Sequence, residues 1–162
     1  MSCTTEMKNC IGVVGELHSF FSGHARYDVL LGEQRQKGNK VNLQRVNTTR
    51  AWSAVDRATN TLIDHYSEVL SALSILAADH SSNEKTVSSA KGLTKQLRSL
   101  KFVTCLFILR QIFNILGPAI RCLQGVAVDL SITSSLLNDT ANRLQTIRSD
   151  VKQQWSEVLD ST

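Results

Sequence analysis

The sequence predicts an all-α protein, and three observations carry that expectation. Proline occurs once in 162 residues, at Pro118, and glycine eight times, too few turn formers for a loop-rich or all-β chain. Hydrophobic residues make up 42% of the chain, enough for a core and against intrinsic disorder. Long stretches repeat apolar residues at steps of three and four, the period of a helix face. The length suits one domain: an N-terminal helical hairpin over 5–38, a connector over 39–48 and an antiparallel bundle of about three long helices over 49–162.

Ile11, Val14, Leu17 and Phe21 mark a first helix over about 5–22, broken by Ser22-Gly23. A shorter helix holds Tyr27, Leu30 and Leu31 and ends at Gly38-Asn39. Residues 39–48 show no helical stripe and have no second strand to pair with, so they read as an extended connector. Thr48 or Thr49 can cap a long helix with the row Val55, Ala58, Leu62, Tyr66, Val69, Leu73 and Leu76. That row predicts one continuous buried seam, closed by a turn at 79–82. Ser82 is a candidate cap for the next helix, whose row Val87, Ala90, Leu93, Leu97 and Leu100 runs on into the apolar stretch 102–116. Gly117-Pro118 is expected to kink or end it, because proline lacks a backbone donor and clashes one turn back. Asp129 can cap the last helix, with Leu130, Thr133, Leu137, Ala141, Leu144, Ile147, Val151, Trp155 and Val158 facing inward.

The four cysteines, Cys3, Cys10, Cys105 and Cys122, form no C-x-x-C and no Cys/His cluster, which points to reduced thiols. Glu6 and Lys8 precede only the apolar Ile11-Gly-Val-Val14, which is too short for the apolar region of a signal peptide. Residues 102–116 include Thr104, Arg110, Gln111 and Asn114, so a buried helix is expected there and not a membrane span of roughly 20 apolar residues. An intracellular protein, nuclear or cytoplasmic, is the resulting expectation, with no membrane partner.

Catalytic and ligand motifs are not found. His18, His24, His65 and His80 each have at most one carboxylate at helical spacing, short of the three or four ligands of a zinc site; pairs such as His65 with Glu68 read as surface pairs. No glycine-rich phosphate loop occurs. Neither an active site, a metal, a cofactor nor a small-molecule substrate is expected.

Charge is more informative. The net charge is +4, but residues 85–121 carry seven basic side chains and no acid, whereas 58–84 carry four acids and no Lys or Arg. Lys91, Lys95 and Arg98 stand at i, i+4 and i+7, on one helix face. Such a face is either a phosphate-backbone surface or a solvated helix exterior. A second basic stretch, 26–57, includes Arg50 and Arg57 around Trp52. An aromatic near arginine at a helix start can stack on an unstacked base, or it can be a lid on the bundle end. Trp155 falls on the last helix's inward row, where a core role is the default.

Several stretches together resemble a known family. The segment ELHSFFSGHARYDVLL is similar to the FFS-x-S-x-KR-x-x-L helix of hAT-superfamily transposases and their domesticated relatives, among them the zinc-finger MYM-type and THAP-linked proteins. VNLQRVNTTRAWSAVDRATNTLIDHYSEVL looks like their T-R-W element and the long helix after it, and SSAKGLTKQLRSLKF like their A-x-G-L-x-K-x-L helix. The likeness runs over about residues 10–152 and rests on order and spacing. It implies the helical insertion of an RNase H-like catalytic domain, with the family's catalytic acids, zinc module and dimerisation region outside the matched stretch, hence a catalytically inert module. It also implies that Arg50 and Trp52 take the family's role of holding a flipped base. Ala51 stands between them here, which rotates Trp52 by about 100° from the family arrangement. DNA is the partner this implies. Other protein chains, docking on an exposed apolar face, or a transposon relic without selected function are the alternatives.

Overall fold

In a computed structural model, the chain is described for residues 5–36, 43, 46, 51–79, 82–124 and 130–160, with the backbone alone at 36, 51 and 151–160. Among the described residues there are seven helices and no strand: α1 (Thr5–Phe21), α2 (His24–Gln36), α3 (Ala51–Asp64), α4 (Tyr66–Ala78), α5 (Glu84–Leu97), α6 (Leu100–Leu123) and α7 (Leu130–Asp160). The all-α expectation holds. The caps expected at Thr48, Thr49 and Asp129, the stop at Gly38-Asn39 and most of the connector lie outside the described residues. The helices divide into two units, Met1–Arg110 and Gln111–Thr162.

In the first unit α1 packs on α2, α3 and α5, while α4 packs on α2, α3 and α5. The inward face of α1 is Cys10, Val14, Leu17, Phe20 and Phe21; Ile11, expected inward, is only half-buried. The turn into α2 is tight because Arg26 folds back over it. Its Nε donates to the Phe20 carbonyl at 2.5 Å, and its guanidinium lies 5.0 Å from the Phe20 ring centre. A Cβ at Gly23 would meet Arg26 Nη2 at 2.5 Å, so glycine makes room for this return. The centre of the unit is α4, whose Val69, Ala72 and Leu73 are fully buried together with Leu30 of α2 and Ala90 and Leu97 of α5. Ser71 donates to Glu33 Oε2 at 2.5 Å, tying α4 to α2.

Two helices expected to be continuous are each broken. The seam from Val55 to Leu76 is interrupted at His65, whose backbone leaves the helical region at φ −119°, ψ 26°. The ladder is bridged across the break: the His65 N–H donates to the Thr61 carbonyl at 3.1 Å, and the Val69 N–H to the His65 carbonyl at 3.0 Å. The apolar period therefore passes through undisturbed. His65 and Glu68, expected at the surface, are both buried. The second break is at Arg98-Ser99. The Ser99 N–H bonds the Gln96 carbonyl at 3.1 Å in a tightened last turn, and Ser99 Oγ accepts from the Phe102 N–H at 3.2 Å, capping α6. The Leu97 carbonyl, near the end of α5, accepts from the Tyr66 hydroxyl at 2.6 Å. The cap of α5 is Asn83, whose Oδ1 accepts from the Lys85 N–H at 2.9 Å; Ser82 instead donates to Asp79 Oδ2 at 2.6 Å.

Of the two outcomes expected at Gly117-Pro118, a kink or an end, the end is not made: α6 runs through Pro118 to Leu123. It is long and apolar enough to cross a membrane by length and composition, a test that a core helix also passes. Phe102, Leu106, Leu109 and Phe113 are buried at steps of four and three, while Leu100, Phe107 and Ile108 are exposed, so the helix is buried on one face rather than all round. In the second unit the inward row of α7 is only partly as expected. Thr133 is buried as expected and is joined by Thr140, whereas Leu130 and Leu137, also expected inward, are exposed. Thr133 Oγ1 lies 3.4 Å from Cys122 Sγ, and Thr140 bonds the Leu136 carbonyl one turn back at 2.7 Å. The Thr140 hydroxyl is thus satisfied within its own helix and that of Thr133 meets the thiol of a residue on α6, which lowers the cost of burying them. The Trp155 side chain lies outside the described residues.

Candidate nucleic-acid interface

The helical spacing of Lys91, Lys95 and Arg98 becomes a site because of what α4 places opposite them. All three side chains are exposed and, with Thr94, form one wall of an open groove of about 450 Å³ whose other wall is Ser74, Ala77 and Ala78 of α4. On an ideal helix the three cations fall within an arc of about 60° and along about 10 Å of axis. Small side chains on the α4 wall leave the groove open, and among the described residues no acid lines it. Thr94 Oγ1 is turned into its own helix, donating to the Ala90 carbonyl at 2.8 Å, so the cations alone supply charged donors. A second hollow, lined by Asp79, Ser82, Glu84, Val87 and Ser88, shares Lys91 with the groove. Asp79 and Glu84 set the limit of the positive surface there.

The α4 wall could not be foreseen from the charge pattern, since Ser74, Ala77 and Ala78 carry no charge and lie on a different helix. The other residues singled out in the sequence do not converge on this groove. Arg50 lies outside the described residues. Trp52 stands in the first turn of α3 with 58% of its surface exposed, beside the buried face formed by Ala54, Val55, Ala58, Thr59 and Leu62. Arg57 is also exposed, but five residues along a helix place it about 140° around the axis from Trp52, so the two do not share a face. Helices α3 and α5 have no packed contact among the described residues, and Trp52 is a separate surface feature from the basic groove.

No group of three or more His, Cys, Asp or Glu side chains gathers into a metal-binding arrangement among the described residues. One buried titratable cluster does occur. Cys10 is buried on α1, and burial, with the neighbouring Cys105 adding to it, pushes its thiol up to about 12. Burial, and next the charge of Cys10, also raises the Tyr66 phenol. Cys10 and Cys105 line a separate hollow and not the basic groove. No family model, curated protein or solved structure matches the chain.

Proposed function

We propose that the chain is a catalytically inert helical module, derived from the insertion region of a hAT-like transposase and spanning residues 1–162 as one antiparallel bundle domain, that associates with DNA in the cell nucleus. The observation that carries the DNA reading is the α4–α5 groove: three exposed cations on one wall, small side chains on the other and, among the described residues, no acid between them. Phosphates are held by such point and fork donors without base readout, so the groove contributes affinity and not sequence preference. Trp52, exposed at the start of α3, is the side chain assigned to stacking on an unpaired base, as the hAT resemblance implies.

The test is binding of hairpin and single-stranded DNA as a function of salt. Three phosphate contacts give a slope of log K against log salt of about −2 to −3. Replacing Lys91, Lys95 and Arg98 together by Gln should remove most of that slope, while Trp52→Ala should weaken binding at every salt concentration. Absence of binding at low salt refutes the DNA reading. A second reading, a protein-interaction bundle, is favoured by a specific observation: Leu100 and Phe107 lie on one line of α6 with Ile108 beside them, and Leu100 is 81% exposed. A self- or partner-association insensitive to salt would support that reading instead.

A further inference from the structure

The groove between α1 and the start of α6 is lined by two thiols that lie far apart in the chain. It has a volume of about 460 Å³, and its lining includes Asn9, Cys10 and Gly12 of α1, Gln96 of α5, and Phe102 and Cys105 of α6. Cys10 and Cys105 are both free thiols, the first buried and the second half-buried. The two groups feel each other electrostatically: a charge on Cys105 opposes ionisation of Cys10. Cys122, the remaining described cysteine, belongs to the other unit and lies against Thr133. We propose that Cys10 and Cys105 are a reversible dithiol–disulfide pair, closed by a small-molecule disulfide such as oxidised glutathione and linking α1 to α6 across the groove.

The order of reaction follows from exposure. Cys105, half-buried and on the open groove, meets the oxidant first. Its thiolate attacks one glutathione sulfur, the glutathione S–S bond breaks, and one glutathione thiolate leaves with the electron pair. Cys10 then gives its proton to solvent, and its thiolate attacks Cys105 Sγ in the mixed disulfide and expels the second glutathione thiolate. Two protein thiols and one small disulfide become one protein disulfide and two small thiols, the two protons ending on the glutathione. The buried Cys10, with its thiol pushed up to about 12, is poor at the first step, because little of it is thiolate at neutral pH. It is suited to the second, where the partner sulfur is already in place and a thiolate of high basicity is intrinsically the more nucleophilic. A disulfide needs Cβ atoms about 4 Å apart, so closure also reports how near α1 and α6 come at this end of the groove.

The test uses the full native chain incubated with oxidised glutathione, read by intact mass and by peptide mapping without reductant. The expected result is the loss of two hydrogen masses, one linked peptide pair containing Cys10 and Cys105, Cys122 still open to alkylation, and full reversal by dithiothreitol. Cys122→Ser should change nothing, and Cys105→Ser should abolish the link while leaving Cys10 reduced. Stable glutathione on Cys105 with Cys10 still reduced overturns the proposal, as does linkage of Cys10 to Cys3 or Cys122, or a chain that stays fully reduced.

Discussion

The hydrogen bond from the Tyr66 hydroxyl to the Leu97 carbonyl, 2.6 Å long, joins the start of α4 to the end of α5 at the break before α6. Tyr66→Phe removes the donor and leaves that carbonyl, one of the orphan acceptors of a helix end, without this partner. The ring's packing is kept, so the loss is that of one hydrogen bond plus part of the desolvation of an acceptor, about 1–2 kcal/mol. For a chain of this length that is a fall in Tm of roughly 3–6 °C. The pH dependence gives a second, independent reading. Burial, then the Cys10 charge, raises the Tyr66 phenol above its ordinary value. A group raised in the folded state contributes stability below its unfolded pKa and loses it as pH rises through the folded one. Wild type should therefore shed part of its stability above about pH 10, and the variant, having no phenol at 66, should shed less. Urea unfolding at pH 7 and at a series of pH values up to 11 measures both effects. Equal stabilities at pH 7, or parallel pH profiles, would refute the assignment of this bond as the tie between α4 and α5.

Two further substitutions follow from the fold. Pro118 sits inside α6 with an exposed side chain, so Pro118→Ala should restore a donor to the ladder and raise stability by about 1–3 kcal/mol, measured by denaturant midpoint and by helical circular dichroism; a loss of stability would show that the proline ring itself is used in packing. Thr59 Oγ1 is buried with no hydrogen-bond partner, so Thr59→Val, close in shape, should stabilise by about 1 kcal/mol in the same assay, and destabilisation would reveal a hydrogen bond at that oxygen.

How much of this was legible in the sequence depends on which residues carry each feature. Helix existence was legible because Val55, Ala58, Leu62, Val69, Leu73 and Leu76 are all buried at the expected period, Tyr66 half-buried among them. The breaks at His65 and at Arg98-Ser99 were not, because a break that preserves the backbone ladder and the apolar phase leaves no mark on spacing. The inward row of α7 was misread in part for a related reason. Thr133 was placed inward correctly, but apolar character gave no signal for Thr140, which can be buried cheaply once its hydroxyl is bonded, and Leu130 and Leu137 are left outside. The basic face was legible, since Lys91, Lys95 and Arg98 share one helix. Its opposite wall was not, because the packing of α4 on α5 is set by the core and not by Ser74, Ala77 or Ala78.

The three cations of the groove do not carry equal weight in testing the DNA reading. Lys95 and Arg98 stand at the C-terminal end of α5, where a positive charge also offsets the helix dipole and stabilises the fold by about 0.3–1 kcal/mol each. Their presence has an ordinary structural reason, and a variant lacking them can bind less because it folds less. Lys91 is in the middle of the helix, where the dipole acts little, and its side chain is exposed on the groove. Lys91→Gln should therefore leave the unfolding midpoint unchanged while lowering the salt slope of DNA binding by about 0.9, the share of one phosphate contact. If the slope stays at its wild-type value, the groove does not hold the phosphate backbone, and the cations of α5 serve the helix end and solvation alone.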